Sequence, residues 1–227
     1  MPWRLILSPA SDGPANMAMD EALLTRCVSD AAAAPIIRLY SWTEPCITIG
    51  YFQMFAVNGQ DKVPITRRLT GGLTVVHGND LSYAMIAKET AWPWLYDQTE
   101  TYRRMHAVIK NILADRGLGI DSAITTVSPS GNARCVETIY THDVLHNGRK
   151  IVGSCMRRRG NTILLQGSIH LPSIVNQINE IRNGFEMYFP RIVNDTMTRS
   201  KLVREEHTMQ RALMETRYAT SEWNEKY

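Results

Sequence analysis

Short apolar runs alternate with longer segments of helical periodicity along the chain, which has 227 residues. The short runs predict strands at Trp3 to Leu7, Ile36 to Leu39, Ile47 to Ile49, Val63 to Arg68, Thr74 to His77, Leu81 to Ala87, Val144 to Leu145, Lys150 to Met156 and Thr162 to Ile169. Helical spacing predicts helices at Ala15 to Cys27, Tyr96 to Leu118, Pro172 to Asn183 and Ser200 to Glu215.

Turn and charge patterns refine this picture. Asn147-Gly148 lies between two apolar runs and is typical of a β-hairpin, because both residues tolerate a positive φ. The first helix is predicted to be amphipathic, with the acidic Asp20 and Glu21 beside its apolar positions. No internal repeat or linker interrupts the order of elements, which favours one domain.

Composition and charge exclude several classes of protein. Hydrophobic residues make up 44% and charged residues 21% of the chain, close to the values of ordinary globular domains. The 25 basic and 22 acidic residues give a net charge of +3, too small a surplus for a dedicated nucleic-acid binder. No apolar stretch reaches the roughly 18 residues of a membrane span. We therefore expect neither nucleic acid nor a membrane as a partner.

Four cysteines, Cys27, Cys46, Cys135 and Cys155, lie far apart and form no CxxC pair. This spacing fits neither a zinc site nor a dense disulfide framework, so we expect reduced thiols, no metal and a cytoplasmic location. The N-terminal segment has one arginine and a short apolar run, which falls short of a secretory signal. A basic cluster at Arg157 to Arg159 is either a solvated face or a site for an acidic surface or a phosphate.

The first candidate for chemistry is a basic strand end followed by two glycines, Arg67-Arg68-Leu69-Thr70-Gly71-Gly72. Glycine lets backbone N–H groups approach a carboxylate, thioester or phosphate oxygen closely, and an adjacent arginine supplies charge. This segment is therefore a candidate ligand loop. A hairpin with a glycine-rich tip and surface arginines is the structural alternative.

Lys150 and Cys135 are candidates for a catalytic centre. Lys150 precedes the apolar Ile151, so its ammonium can sit at the mouth of a partly desolvated site, polarising a carbonyl or stabilising a thiolate. Cys135 follows Arg134 at the end of a predicted polar loop, Ser128 to Ala133, which makes it a candidate reactive thiol. The alternatives are an exposed hairpin lysine and a buried, inert cysteine.

Several segments together resemble the lipoate-protein ligase and octanoyltransferase family, of the biotin/lipoate A/B protein ligase type. They are WRLILSPASDGPANMAMDEALL, IRLYSWTEPCITIGYFQ, RRLTGGLTVVHGNDLSY, GRKIVGSCMRRRGNTILLQGSI and the ending from Arg217 to Asn224. The resemblance covers nearly the whole chain and implies an α/β domain with a mixed, largely antiparallel sheet flanked by helices, which the hairpin-rich pattern permits. It implies one catalytic domain over residues 1–227, without the C-terminal accessory domain of the larger ligases.

The resemblance also implies a chemistry. Cysteine-dependent octanoyltransferases of the family carry an acyl-thioester cysteine 15 residues before the hairpin lysine, and Lys150 follows Cys135 by 15 residues. It therefore implies transfer of an octanoyl or lipoyl group from acyl carrier protein, through Cys135, to a lysine of a lipoyl carrier domain. Glycine cleavage H protein and 2-oxoacid dehydrogenase E2 are the implied carriers. Lys150 is expected to lower the pKa of the Cys135 thiol, and no cofactor is expected.

The implied site for the substrate and its acyl chain comprises Arg68, Thr70, Gly71, Gly72, Leu73, Thr74, Val75, Val76, His77, Gly153 and Ser154, with Ile151 beside the chain. Lys150 and backbone N–H groups near the two glycines are expected to stabilise the tetrahedral oxyanion. The sequence departs from the family pattern in two places. Leu73 stands where ligases tend to have a third glycine and transferases an arginine, and Cys155-Met156 replaces the usual Ala-Gln.

Two alternatives remain open. An ATP-dependent lipoate-protein ligase would use the same loop and Lys150 on octanoate or lipoate with ATP and Mg²⁺, and would be indifferent to Cys135→Ser. A non-catalytic protein that binds lipoyl domains is the second alternative, motivated by Leu73 and Met156, and it predicts binding without turnover.

Overall fold

The computed structural model describes residues 1–55, 63–126, 135, 137–171 and 174–227, with the backbone alone at 175 and 176. The strands are β1 (Trp3–Leu7), β2 (Ile36–Tyr40), β3 (Cys46–Ile49), β4 (Ile65–Arg67), β5 (Val75–His77), β6 (Leu81–Lys88), β7 (Ile120–Ser122), β8 (Val144–His146), β9 (Arg149–Arg159), β10 (Thr162–Ile169) and β11 (Met197–Arg199). The α-helices are α1 (Gly13–Ser29), α2 (Gln98–Ala114), α3 (Ile178–Val193), α4 (Arg204–Leu213) and α5 (Ser221–Asn224). The predicted polar loop at 128–133, Arg134 and the predicted helix start at Pro172 lie outside the described residues.

Two sheets form the framework. Within the described ranges, eight strands form one sheet in the order β11-β1-β2-β6-β10-β9-β8-β7, and three form a second in the order β4-β3-β5. In the large sheet β1 pairs in parallel with β2 and β11, and the pairings from β2 through to β7 are antiparallel. The prediction of a mixed, largely antiparallel sheet flanked by helices is therefore confirmed.

Helices cover both faces of the large sheet. Successive side chains of a strand point to opposite faces. On β6, Tyr83 and Met85 join the core that contains residues of α2 and α3, whereas Ala84 and Ile86 join the core that contains residues of α1. The central strands are therefore buried on both sides, which explains why they read as continuous apolar runs.

The first helix differs from its prediction. Asp12 caps it by accepting from the Ala15 N–H group at 2.8 Å. Asp20 and Glu21 are both buried rather than solvated, because the helix lies between the sheet and the C-terminal helices. Each carboxylate is paired, as burial of a charge requires: Asp20 with Arg38 at 2.6 Å, and Glu21 with Arg217 at 2.6 Å. The predicted amphipathic pattern is thus wrong.

Other boundaries also shift. The helix predicted at Tyr96 to Leu118 begins later, at Gln98, because the Asp97 carboxylate accepts from two N–H groups of the first turn. The helix predicted to end at Asn183 continues to Val193, where Asn194 closes it in the left-handed conformation at φ 54°. No helix in the described ranges is long and apolar enough to cross a membrane.

Candidate active site

A pocket lies between the two sheets, and we call it the central pocket. One wall comes from β9 and β10 and the other from β3 and β5. Six residues predicted for the site line it, namely Arg68, Val75, His77, Cys135, Lys150 and Gly153. Ile151, predicted to lie beside the acyl chain, lines it as well.

Cys135 and Lys150 meet at Gly153 in the central pocket. A Cβ atom placed on Gly153 would lie 2.8 Å from the Lys150 Nζ atom and 3.6 Å from the Cys135 Sγ atom. The Cys135 N–H group donates to the Thr74 carbonyl oxygen at 2.9 Å, which ties the cysteine to the segment after the glycine pair. The missing side chain of Gly153 therefore leaves room for an ammonium group beside a thiol.

Lys150 is buried and paired. Its Nζ atom lies 2.7 Å from Asp143 Oδ2, the two side chains being 3% and 6% exposed, and it donates to the Thr138 carbonyl oxygen at 3.0 Å. The alternative of an exposed hairpin lysine is therefore wrong. Burial alone would lower the pKa of Lys150, but neighbouring Cys135 and Asp143 raise it above its ordinary value. Lys150 thus carries a fixed positive charge in the pocket.

The Cys135 thiol has a raised pKa although Lys150 lies beside it. Burial raises the pKa of Cys135, and the positive charge of Lys150 offsets only part of that shift. Lys150 does lower this pKa, as predicted, but the net shift is upward, because the cost of placing a thiolate away from water exceeds the attraction of Lys150. A buried thiolate that does form is a strong nucleophile, since nucleophilicity rises with thiol pKa.

The buried Arg68 side chain holds the backbone of the glycine pair by hydrogen bonds. Its Nη2 atom donates to the carbonyl oxygens of Gly71 at 2.8 Å and Leu73 at 2.7 Å, and its Nη1 atom donates to the Thr48 carbonyl oxygen at 3.1 Å. Gly72 has a φ of 85°, a conformation that favours glycine. Arg68 is buried, so the alternative of surface arginines is wrong, and its guanidinium is engaged with the loop backbone.

Arg67 anchors the same loop to the C-terminal helix. Its guanidinium donates to the carbonyl oxygens of Gly50 at 3.0 Å and Gln53 at 2.6 Å, and to that of Asn224 at 2.8 Å. The Trp223 indole N–H group donates back to the Arg67 carbonyl oxygen at 2.8 Å. The loop is therefore held by residues more than 150 positions away in the sequence.

Several predicted residues lie outside the lining of the central pocket. Thr70 is buried and donates to Gln166 Oε1 at 2.8 Å, so its hydroxyl supports the loop. Val76 was predicted to hold the acyl chain, but it is 45% exposed, because its neighbours on β5, Val75 and His77, occupy the face toward the pocket. Of the remaining predicted residues, Gly71, Gly72, Leu73, Thr74 and Ser154 also do not line the pocket.

His77 belongs to a buried polar cluster around Asp80. Its Nδ1 atom lies 2.8 Å from Asp80 Oδ2, its Nε2 atom lies 2.9 Å from Thr48 Oγ1, and its ring stacks on Trp42 at 3.9 Å. Burial alone would raise the pKa of Asp80, but the charge and hydrogen bond of His77 and the hydrogen bond of Ser168 hold it well below its usual range. The ring of His77 is therefore fixed in the pocket wall.

Ser154 faces a second cavity, which we call the α2 hollow. The α2 hollow is lined by Gly71, Gly72, Tyr102, His106, Asp143 and Ser154, among others, and it shares Cys155 with the central pocket. The sequence reasoning missed Asp143 and His106. The predicted hairpin could have revealed Asp143. Its turn pairs Leu145 with Lys150, which brings the residues just before Leu145 close to Lys150. No sequence signal places His106 there.

The basic cluster at Arg157 to Arg159 is largely structural. Arg158 pairs with Glu89, Arg159 pairs with Glu21 at 2.9 Å, and the guanidinium of Arg157 lies 4.4 Å from the ring centre of Tyr51. All four cysteines are free thiols. No three His, Cys, Asp or Glu side chains among the described residues are arranged to hold a metal ion.

A nucleophilic thiol beside a buried ammonium in an apolar pocket can form a thioester and stabilise the oxyanion of its tetrahedral intermediate. Residues 12–212 match the family model described as "Lipoyl protein ligase A/B catalytic domain".

Two curated relatives are each named Octanoyltransferase LipM. The protein of Carboxydothermus hydrogenoformans is 26% identical, with 97% of each chain covered, and that of Bacillus subtilis is 28% identical, covering 99% of this chain and 98% of the relative. A solved bi-partite lipoate protein ligase, from a study of that ligase and its E2 lipoyl domain in Thermoplasma acidophilum, has the same fold. Its TM-score is 0.72 at 22% identity, with 99% of this chain and 96% of that chain covered.

Proposed function

The chain belongs to the lipoyl protein ligase A/B catalytic domain family, and we propose that it is an octanoyltransferase that acts in protein lipoylation. Its substrates are a lipoyl carrier domain and an octanoyl or lipoyl group. The observation that carries this proposal is the meeting of Cys135 and the buried, paired Lys150 at Gly153. A ligase that activates a free acid with ATP has no need of a thiol at that point.

In the first step, Cys135 attacks the thioester carbonyl of octanoyl-acyl carrier protein. A bond forms between the Cys135 sulfur and the acyl carbon, the bond to the carrier sulfur breaks, and the carrier thiolate takes the thiol proton. The oxyanion forms close to the ammonium of Lys150, which stays charged because Asp143 is paired with it. A fixed donor of this kind contributes about 3 kcal/mol to the stability of such an intermediate.

In the second step, the ε-amine of a lysine on the lipoyl carrier domain attacks the acyl-Cys135 carbonyl. The amide bond forms, the thioester bond breaks, and the Cys135 thiol is restored by the proton that the amine loses. The acceptors proposed are glycine cleavage H protein and 2-oxoacid dehydrogenase E2. Neither step uses ATP or Mg²⁺.

The acyl chain is proposed to occupy the central pocket. Val75 and Ile151 line it with Met17 and Tyr40, so the chain would contact apolar side chains from both sheets. Each methylene removed from water stabilises the complex by about 0.8 kcal/mol, which favours an octanoyl group over a short acyl group.

Intact-mass measurement after mixing with octanoyl-acyl carrier protein, without ATP, tests the proposal. We expect one octanoyl adduct on the wild type and none on Cys135→Ser. Cys155→Ser is the matched control, because Cys155 is another thiol lining the same pocket, and it should form the adduct.

The acylation rate should also rise with pH beyond neutrality, because burial raises the pKa of the Cys135 thiol. If no adduct forms, and ATP with lipoate instead gives a lipoyl adenylate, the protein is a ligase. Binding of the carrier domain with neither product would identify a non-catalytic binding protein.

A further inference from the structure

Aromatic rings and cations form a surface patch next to the segment that carries the glycine pair, and we call it the aromatic patch. Phe52 is 74% exposed and Tyr227 is 49% exposed. The Tyr51 N–H group donates to the Thr70 carbonyl oxygen at 2.9 Å, which fixes the patch against that segment. Its members are Tyr51, Phe52, Arg157, Trp223, Lys226 and Tyr227. The acyl-transfer steps described above leave this patch without a role.

Two cations of the patch lack an acidic partner. On β9, Arg158 and Arg159 pair with glutamates, whereas Arg157 and Lys226 pair with no carboxylate among the residues that the structure describes. Both are partly exposed, and they flank one ring: Lys226 Nζ lies 3.5 Å and the Arg157 guanidinium 4.4 Å from the ring centre of Tyr51. Arg157 spends one donor on the Leu69 carbonyl oxygen at 3.3 Å, so other N–H groups of its guanidinium stay available.

The surroundings of Tyr51 favour negative charge. A hydrogen bond from Lys226 lowers the pKa of the Tyr51 hydroxyl, and the charges of Lys226 and Arg157 act in the same direction, against a smaller effect of burial. Glu225 is exposed nearby in the sequence, but it lines a separate groove with Phe55. The patch therefore combines exposed aromatic rings with a site that favours an anion.

Arg157 and the reaction centre lie on the same face of β9. Alternate residues of a strand share a face, and the pairing of β9 with β10 is regular from Val152 to Arg159, so Arg157 faces the same side as Gly153. At about 3.3 Å per residue, the two are about 13 Å apart along the strand. Cys135 and Lys150 meet at Gly153. The patch is thus one end of a short span that ends at the thiol.

A second connection joins the patch to Cys135. The Gln53 side chain, next to Phe52 in the sequence, donates from Nε2 to Thr74 Oγ1 at 3.1 Å. The carbonyl oxygen of Thr74 accepts from the Cys135 N–H group at 2.9 Å. One residue therefore separates the segment that carries the patch from the proposed nucleophile.

These features fit a donor whose acyl group is carried on a long anionic arm. Acyl carrier protein holds its acyl thioester at the end of an extended prosthetic arm, which a phosphodiester joins to the protein. Arginine and lysine are the side chains that bind phosphate oxygens most strongly. A lipoyl carrier domain presents a cationic lysine instead, so two unpaired cations complement the donor better than the acceptor.

We propose that the aromatic patch docks the acyl donor, with Arg157 and Lys226 binding the phosphodiester of the prosthetic arm and Phe52 packing against the carrier protein. This inference rests on the octanoyltransferase function proposed above. The arm then extends about 13 Å along β9 to present its thioester beside Gly153. Exposed aromatic residues together with arginine are characteristic of protein interfaces.

Three donors separate the parts of this surface. Octanoyl-acyl carrier protein supplies the protein, the phosphodiester and the thioester. Octanoyl-phosphopantetheine supplies the phosphate and the thioester without the protein, and octanoyl-pantetheine supplies the thioester on an uncharged arm. Formation of octanoyl-Cys135 in a single turnover, read by intact mass at several donor concentrations, gives the second-order rate constant for each donor.

The variants are Lys226→Glu and Arg157→Gln for the cations and Phe52→Ser for the exposed ring. Lys201→Glu is the matched control for charge, because Lys201 is exposed beside β11, at an edge of the large sheet. Met187→Ser is the matched control for the ring, because Met187 is an apolar residue of α3 that is 50% exposed. Thermal melting of each variant reports whether the fold is kept.

We expect Lys226→Glu and Arg157→Gln to slow acylation about tenfold with both phosphate-bearing donors and to keep it within about threefold of wild type with octanoyl-pantetheine. Phe52→Ser should slow acylation with the whole carrier protein alone. Salt should slow wild-type acylation by the carrier protein, because exposed charges are screened, and it should slow Lys226→Glu less.

Equal slowing with all three donors would overturn the docking site, because it would show that the patch only supports the fold of the centre. Slowing with the carrier protein but not with octanoyl-phosphopantetheine would overturn the phosphodiester contact. Normal acylation with slowed transfer to a lipoyl carrier domain would assign the patch to the acceptor and overturn the inference. An absence of octanoyl-Cys135 in the wild type with every donor would instead overturn the proposed function.

Discussion

The substitution Gly153→Ala tests whether the position of Lys150 governs acylation. The new Cβ atom would lie 2.5 Å from the Lys150 Cε atom, whereas ordinary contact begins at 3.4 Å, so the end of the lysine must withdraw by about 0.9 Å. The atoms it meets are the far end of a flexible side chain, and Cys135 Sγ at 3.6 Å is at ordinary contact. The chain can therefore fold with a displaced ammonium.

The expected magnitude follows from this displacement. A misplacement of about 1 Å at a reacting centre costs about 100-fold in rate, which is about 2.7 kcal/mol of activation free energy. The free energy of unfolding should change little. Replacement of glycine by alanine restricts the unfolded chain by about 0.4 to 1 kcal/mol, and this offsets part of the strained ion pair.

A quenched single-turnover assay of octanoyl-enzyme formation, read by intact mass, measures the effect. Gly119→Ala is the control, because a Cβ atom there would meet nothing within 4 Å. Acylation of Gly153→Ala at the wild-type rate would refute the reasoning, since it would show that the ammonium need not sit where it does. A loss explained entirely by unfolding would refute it equally.

Three further predictions concern the supports of the site. Asp143→Asn should lower the free energy of unfolding, measured with urea, by about 3 to 5 kcal/mol, because it leaves the buried charge of Lys150 unpaired; an unchanged value would argue against a buried pair. The lowered pKa of Asp80 contributes stability that is fully present above the unfolded-state pKa of about 3.9 and is lost as pH falls toward the folded-state pKa. Asp80→Asn should remove this contribution, so the melting temperature of the variant should change less than that of the wild type as the pH is lowered through the acidic range. Gly72→Ala should impair acylation, because a Cβ atom at residue 72 would be strained and crowded. Gly71→Ala should not, because a Cβ atom at residue 71 would meet nothing within 4 Å; equal effects of the two substitutions would contradict the loop geometry.

The sequence pattern predicts the central strands well because their signal is local. The strand predicted at Trp3 to Leu7 coincides with β1, and that predicted at Thr162 to Ile169 coincides with β10. Both are apolar runs bounded by polar or turn residues. Two short strands, Ile120–Ser122 and Met197–Arg199, were not predicted. Each has three residues at an edge of the sheet, where pairing with a neighbour, and not composition, decides the conformation.

The resemblance named residues of the site, but not their surroundings. Cys135 and Lys150 could be singled out from the sequence, and the structure places both side chains beside Gly153. Their roles stay predictions. The raised pKa of the thiol could not be anticipated, because it depends on burial by segments distant in the sequence. His106 lies on a helix with ordinary amphipathic spacing, so only the fold reveals that it faces Ser154.

The hydrogen bonds between Arg67 and the C-terminal helix bear on the order in which the site is completed during synthesis. Every described residue that lines the central pocket precedes residue 171, so all of them are synthesised before the C-terminal helix. The guanidinium that organises the segment before the glycine pair finds its last acceptor only when Asn224 has been added. The segment before the glycine pair is thus secured only after residues well beyond those that line the pocket have been joined to the chain.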